Sequence, residues 1–203
     1  MMQDIVYFSV DVEASGPVPG LYNLVSIGAV PVGEAGGRWQ PEDDRFYVEL
    51  QPIGGRFDPE AMAVHGIPRA RLESGGTPAD QAMRRLSDFV GGRARRGGAR
   101  AVFVGHNVGF DWSYISYYYA LFGLPNPFGY KSLDIKSLAM GRLSIGWFET
   151  SKDILETLLP SVPRLDSAQV HRADYDALYQ AHLLCALLNL PGRSGGRPAG
   201  APG

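Results

Sequence analysis

Cysteine is almost missing from this chain: with Cys185 alone, no internal disulfide can form. That excludes a disulfide-stapled secreted scaffold and points to a reducing compartment. Cys185 falls in an apolar helical pattern, where a buried, inert thiol is expected. An excess of positive charge is missing too. Nineteen Lys and Arg against 21 Asp and Glu leave a formal net charge of -2. An overall field of that kind does not hold a polyanion, so any groove for one must be built from local arginines or bound cations. Long apolar runs are also lacking. Residues 5–10 are too short for a signal h-region or a membrane span, and residues 1–4 carry no basic n-region. No internal repeat is visible. Together these absences predict a soluble, cytoplasmic protein with no membrane partner.

What is present suits one α/β domain. A chain of 203 residues, 45% of them hydrophobic, can bury a core without staples. We expect that domain over residues 1–191. Residues 192–203 are Gly, Pro, Arg, Ser and Ala, a composition that cannot bury enough apolar surface to fold and predicts a disordered tail.

Residues 5–12, 24–32 and 46–50 are rich in β-branched and aromatic side chains and predict three antiparallel strands, with residues 33–44 as an exposed turn. Helix and strand then alternate. Thr77-Pro78 predicts an N-cap followed by a first-turn proline, with Ala82, Leu86, Phe89 and Val90 at helical spacing. Residues 101–105 read as a buried strand, 111–122 as a helix and 133–135 as a short strand. A capping arrangement at residues 150–153 precedes another helix. A last helix carries Ala177, Ala181, Leu184, Cys185 and Leu188 on one face.

Three acidic clusters stand on these elements: Asp11 and Glu13, Asp111 after Gly105-His106-Asn107, and Asp176 after His171. Asp11 and Glu13 are two apart at the end of a strand and so share a face. Asp111 lies where a strand gives way to a helix, and Asp176 where the last helix begins. Element ends can converge. Two carboxylates ~5 Å apart at an effective dielectric of about 20 repel by roughly 3 kcal/mol, so convergence calls for cations between them. Each signal alone has a bland counterpart. Asp111 and Asp176 are also what a helix dipole favours in a first turn, and a lone histidine such as His171 is commonly an ordinary loop residue. The ordered conjunction is what carries weight.

That conjunction resembles the DEDDh family of 3′–5′ exonucleases, which includes the proofreading subunit of bacterial replicative polymerase and ribonuclease T. The matching residues are Asp11-Val12-Glu13, Gly105-His106-Asn107-Val108-Gly109-Phe110-Asp111 and His171-Arg172-Ala173-Asp174-Tyr175-Asp176; Ala63-Val64-His65-Gly66-Ile67 is similar to a further recurring segment. The tyrosine branch of the superfamily places its base four residues before the last aspartate, where Arg172 stands. His171, five before, fits the histidine branch, leaving Asp174 as a first-turn acid and Tyr175 as a packing residue.

The resemblance implies a ribonuclease H-like α/β fold, a mixed sheet flanked by helices. It also implies hydrolysis of the terminal phosphodiester of single-stranded DNA or RNA to nucleoside monophosphates. Asp11, Glu13, Asp111 and Asp176 would hold two ions, Mg²⁺ or Mn²⁺ as oxygen ligands favour, and His171 would be the general base. The expected partner is a nucleic-acid 3′ end; among relatives both homodimers and polymerase-associated subunits occur. Substrate contacts are expected from Ala14 and Ser15, which follow Glu13 where relatives carry threonine directly, and from His65 and Phe110.

Other residues have two readings each. The aromatics Trp112, Tyr114, Tyr117, Tyr118 and Tyr119 suit core packing better than base stacking. Arg93, Arg95, Arg96 and Arg100 read as a solvated loop or a phosphate-contacting edge. Asp134 reads as a helix cap, and His106 and Asn107 as shaping the loop that presents Asp111. Two alternatives stay open: a catalytically weak nucleic-acid-binding or polymerase-associated module of the same fold, and a phosphoesterase for very short oligonucleotides.

Overall fold

Alternation along the first strand, β1 (Ile5–Ala14), divides the molecule into two cores. Phe8, Val10 and Val12 are buried against one set of helices. Side chains alternate across a strand, so Tyr7, Ser9, Asp11 and Glu13 face the other way. The computed structural model describes residues 5–94 and 98–191. The tail expected at 192–203 and the arginines at 95 and 96 lie outside the described residues.

β2 (Leu24–Ala35) pairs antiparallel with β1, setting Gly28 opposite Asp11. β3 (Arg38–Pro41) and β4 (Phe46–Glu49) both pair antiparallel with β2, β3 at its end and β4 nearer its start. The exposed turn expected over 33–44 is therefore corrected. Only Gly36 and Gly37 form the bend, at φ 60° and 77°, as a two-residue hairpin loop with positive φ at both positions requires. The turn residues were legible, whereas the short flanking strand, with its half-exposed alternation, was not.

Two parallel strands complete the sheet. β5 (Arg100–Gly105) lies beside β1 and β6 (Ser132–Asp134) beside β5, giving the order β3-β2-β1-β5-β6 with β4 also on β2. This is the mixed sheet expected. Helices α3 (Ala79–Ala94) and α4 (Gly109–Leu121) cover one face. Helices α5 (Ile135–Leu143), α6 (Lys152–Leu158) and α7 (Ala173–Leu188) cover the other. Tyr114, Tyr118 and Tyr119 are fully buried, as packing predicted. Cys185 is buried as well, and desolvation pushes its thiol up to about 12.

Several boundaries differ from expectation. Thr77 does not cap α3: it bridges to Leu50, and the first α3 hydrogen bond runs from Ala82 N–H to the Pro78 carbonyl. The last helix starts at Ala173, three residues before Asp176. Two short helices, α1 (Pro59–His65) and α2 (Arg69–Gly75), were not anticipated because they bury almost nothing. Their local signals were nonetheless present for α1: the Asp58 carboxylate accepts from Glu60 N–H at 3.0 Å, Pro59 opens the helix and Gly66 closes it at φ 66°.

The close descent of α7 onto the sheet depends on Gly28. A Cβ there would lie 2.0 Å from the Ala173 carbonyl oxygen and 2.5 Å from the Asp174 nitrogen. Backbone cannot rotate away as a side chain can, so the helix itself would have to lift. We predict that Gly28→Ala lowers unfolding free energy by about 1–3 kcal/mol or more in urea titration, and a substitution without measurable effect would refute this packing.

Candidate active site

β1 outruns its parallel neighbour. Pairing with β5 ends at Ser9 and Val104, so residues 10–13 have no strand along that edge. After Gly105 the chain turns away through Asn107, held at a left-handed φ of 64°, and enters α4. The first turn of α4 brings Asp111 to the vacant edge, where its Oδ1 accepts the Val12 N–H at 2.9 Å. Asp134 fixes the same turn from the β6 side. It caps α5 by accepting from Ser137 N–H at 2.7 Å, as expected of it, and its other oxygen accepts from Val108 N–H at 3.0 Å.

Asp11 and Glu13 leave β1 on the face covered by α7. The register of β1 against β2 shifts between Glu13 and Ala14, a bulge of the kind that re-aims side chains near sites. Asp176, in the first turn of α7, turns both oxygens to the site. Oδ2 accepts from the His171 backbone N–H at 2.7 Å and Oδ1 takes the Lys152 ammonium at 2.5 Å. His171 itself is at φ 66°, a conformation rarely adopted by residues other than glycine.

These side chains meet. Asp11, Glu13, Asp111, Asp176, His171 and Phe110 line one cleft of about 210 Å³, together with Lys152, His106 and Asn107. Glu13, His171 and Asp176 each present a ligand atom, all within 4.8 Å of one another. Ala14, Ser15 and His65 do not line it. Ser15 is fully buried, and its Oγ accepts from Asn23 N–H at 2.8 Å and donates to the Arg56 carbonyl at 3.1 Å. That hydroxyl is thus held within the loop after β1. His65 commits one ring nitrogen to its own turn. Its Nδ1 accepts from Ile67 N–H at 3.0 Å, and its Nε2 is buried with no hydrogen-bond partner among the described residues. Burial and the charge of nearby His171 lower its pKa.

The basic run lies elsewhere. Arg100 opens β5 at the end opposite the cleft, and Arg93 pairs with Glu42 at 2.7 Å and Asp44 at 3.3 Å. The solvated reading fits these two better than a phosphate-contacting edge.

Two site residues were missed in the sequence. Gln180 is buried and bridges the elements: its Nε2 donates to Asp11 Oδ1 at 2.5 Å and its Oε1 accepts from His106 N–H at 2.9 Å. The available signal was position, since Gln180 follows Asp176 by one helical turn and shares its face. Lys152 had no comparable signal.

The electrostatics show what the arrangement lacks. Burial, and then the charges of Asp111, Asp176 and Glu13, raise Asp11 well above the carboxylate range, with Lys152 opposing. Burial followed by Asp176 and Asp111 raises Glu13 to about 8, and burial raises Asp111 to about 7 despite the Val12 hydrogen bond. One ammonium does not balance these acids. Carboxylate oxygens converging on a polar cleft fit a hard divalent cation.

Known proteins resemble this chain in sequence and in fold. Residues 8–184 match the family model described as Exonuclease, of RNase T type. The chain is 36% identical over 179 residues to the 3′–5′ DNA exonuclease Cap18 of Escherichia coli, covering 88% of this chain and 89% of that one. It is 30% identical over 192 residues to ribonuclease T of Yersinia pestis, covering 93% and 87%. Among solved structures, the nuclease domain of 3′hExo, a DEDDh family member bound to rAMP, superposes with a TM-score of 0.69 at 14% identity, covering 92% of this chain and 93% of that one. A 3′-exonuclease solved for its recognition of histone mRNA stem-loop gives 0.72 at 15%, covering 93% and 83%. Fold, motif order and sequence relatives coincide, and the chain belongs to the RNase T-type exonuclease family, among the DEDDh 3′–5′ exonucleases.

Proposed function

We propose that this chain removes nucleoside monophosphates from the 3′ end of single-stranded DNA or RNA, using divalent ions held by Asp11, Glu13, Asp111 and Asp176. The observation that carries the reading is the convergence of these four acids and His171 on one open cleft. A binding module has no use for such mutual repulsion, which disfavours the catalytically weak alternative. When bound, two Mg²⁺ or Mn²⁺ ions would supply an activated water and neutralise charge at the leaving oxygen. Asp11, Glu13 and Asp176 would hold one and Asp11 with Asp111 the other. Lys152 must give up its hold on Asp176 for that oxygen to serve as a ligand.

His171 would take the proton from the attacking water. Its side chain is exposed to the cleft, beside the Glu13 and Asp176 oxygens, and the left-handed backbone that presents it is tied to Asp176 through its own N–H. Phe110, 38% exposed at the cleft, offers a ring face to the terminal base. The first substrate to assay is single-stranded DNA, because the relative called a DNA exonuclease is the more similar of the two reported above.

Incubation of 3′-labelled and 5′-labelled DNA and RNA oligonucleotides with Mg²⁺ or Mn²⁺ tests the activity. Mononucleotides released from the 3′ end, and abolished by Asp11→Ala, are expected; internal cuts or no products would overturn the reading. In His171→Ala, turnover should fall about 10²–10⁴-fold with Mn²⁺ affinity retained, and near-normal turnover would remove His171 as the base.

Stability should report the same charge imbalance. Glu13 shifts from 4.5 to about 8 on folding, so the metal-free fold holds this proton more tightly than the unfolded chain. The associated stability is present below pH 4.5 and lost as pH rises through about 8. In EDTA the melting temperature should therefore fall from about pH 6.5 to 8, above the range in which the lowered pKa values of His65, His106 and His182 oppose it, and saturating Mn²⁺ should remove the fall. A metal-free melting temperature that rises or stays level would contradict the proposed crowding of acids.

A further inference from the structure

Beside the cleft stands an exposed aromatic pair that the site does not use. Trp147 is 45% and Phe148 91% exposed, on a one-turn 3-10 helix, Trp147–Thr150, between α5 and α6. The turn is firmly held. Thr150 is fully buried and its Oγ1 donates to the Trp147 carbonyl at 2.6 Å, while Gly146 N–H donates to the Glu149 carboxylate at 2.7 Å. It also abuts the cleft wall. The Thr150 carbonyl is 2.8 Å from His106 Nε2, and His106 and Lys152 both line the cleft.

A cation accompanies the pair. The Lys136 ammonium lies 4.0 Å over the Trp147 ring. Lys136 is the second residue of α5, where the helix dipole disfavours a positive charge, so helix stability does not explain it there. Its charge reaches the site: after burial, the charges of Lys152 and Lys136 lower the pKa of His106.

We propose that Trp147, Phe148 and Lys136 form a stacking platform for the unpaired bases that precede the 3′-terminal nucleotide of a single-stranded nucleic acid. This rests on the exonuclease reading of the adjacent cleft. Ring faces accept any base, and an ammonium beside them meets the connecting phosphate. Two aromatic side chains and one lysine are too small a patch for a protein partner, whose interface ordinarily buries above ~1,000 Å². Because the turn is already ordered, binding there loses little conformational freedom. The platform therefore acts on strands long enough to leave the cleft and is indifferent to the shortest substrates.

The test compares the wild type with Trp147→Ala/Phe148→Ala and with Lys136→Ala, on a single-stranded 12-mer and on a dinucleotide. For the double variant we expect KM on the 12-mer to rise about 10- to 100-fold, kcat to stay within about twofold and dinucleotide cleavage to be unchanged. Lys136→Ala should lower the salt dependence of 12-mer binding by about one phosphate contact. In an Asp11→Ala background, 12-mer binding should quench tryptophan emission, and Trp147→Ala should remove that quench. An unchanged KM for the 12-mer, or an equal loss on both substrates, would overturn the platform. Quenching through Trp147 without cleavage by the wild type would leave the platform standing and sink the exonuclease reading instead.

Discussion

Repulsion among four carboxylates, three of them buried and Asp11 half-buried, is the constraint around which this fold is arranged. At separations of ~5 Å each ionised pair costs roughly 3 kcal/mol even at an effective dielectric of about 20. The protein spends specific donors against it: the Val12 N–H on Asp111, Gln180 on Asp11, the His171 N–H and the Lys152 ammonium on Asp176. Hydrogen bonds to charged groups contribute about 1.5–3 kcal/mol each. Burial, and after it this repulsion, nevertheless leaves Glu13 at about 8 and Asp11 raised well above the ordinary range. A site left in this condition is short of positive charge, and bound divalent ions are what would complete it.

The backbone makes this crowding possible through two local departures from regular sheet structure. β5 stops before β1 does, so a helix N-terminus instead of a strand borders residues 10–13, and Asp111 takes the N–H that a strand would have taken. On the covered face, the bare Cα of Gly28 lets α7 approach until Asp176 and Gln180 reach the β1 acids. Both departures serve position more than stability. Left-handed backbone at Asn107 and His171, two of the three such non-glycine residues among those described, marks the loops that feed the site.

Much of this was legible in the sequence, for physical reasons that also mark its limits. Enrichment in β-branched and aromatic residues gave β1, β2 and β4, and apolar helical spacing gave α3, α4 and α7. The candidate site could be read because its members sit at element ends in a fixed order. Elements that bury little, β3, α1 and α2, carry almost no periodic signal, although Asp58-Pro59 and Gly66 mark the limits of α1. Lys152 was not legible, because its role exists only once the fold sets it beside Asp176, and Gln180 showed only through its place one turn after Asp176. Ser15 shows the reverse case, a plausible substrate contact whose hydroxyl is taken up by Asn23 and Arg56.

Anomalous diffraction from crystals soaked in Mn²⁺ tests whether these acids share cations. Strong peaks are expected in the cleft within coordination distance of Glu13, Asp176 and Asp11, with the Lys152 ammonium displaced from Asp176. A fully soaked crystal with no anomalous density in the cleft, and the Lys152–Asp176 pair intact, would contradict that sharing.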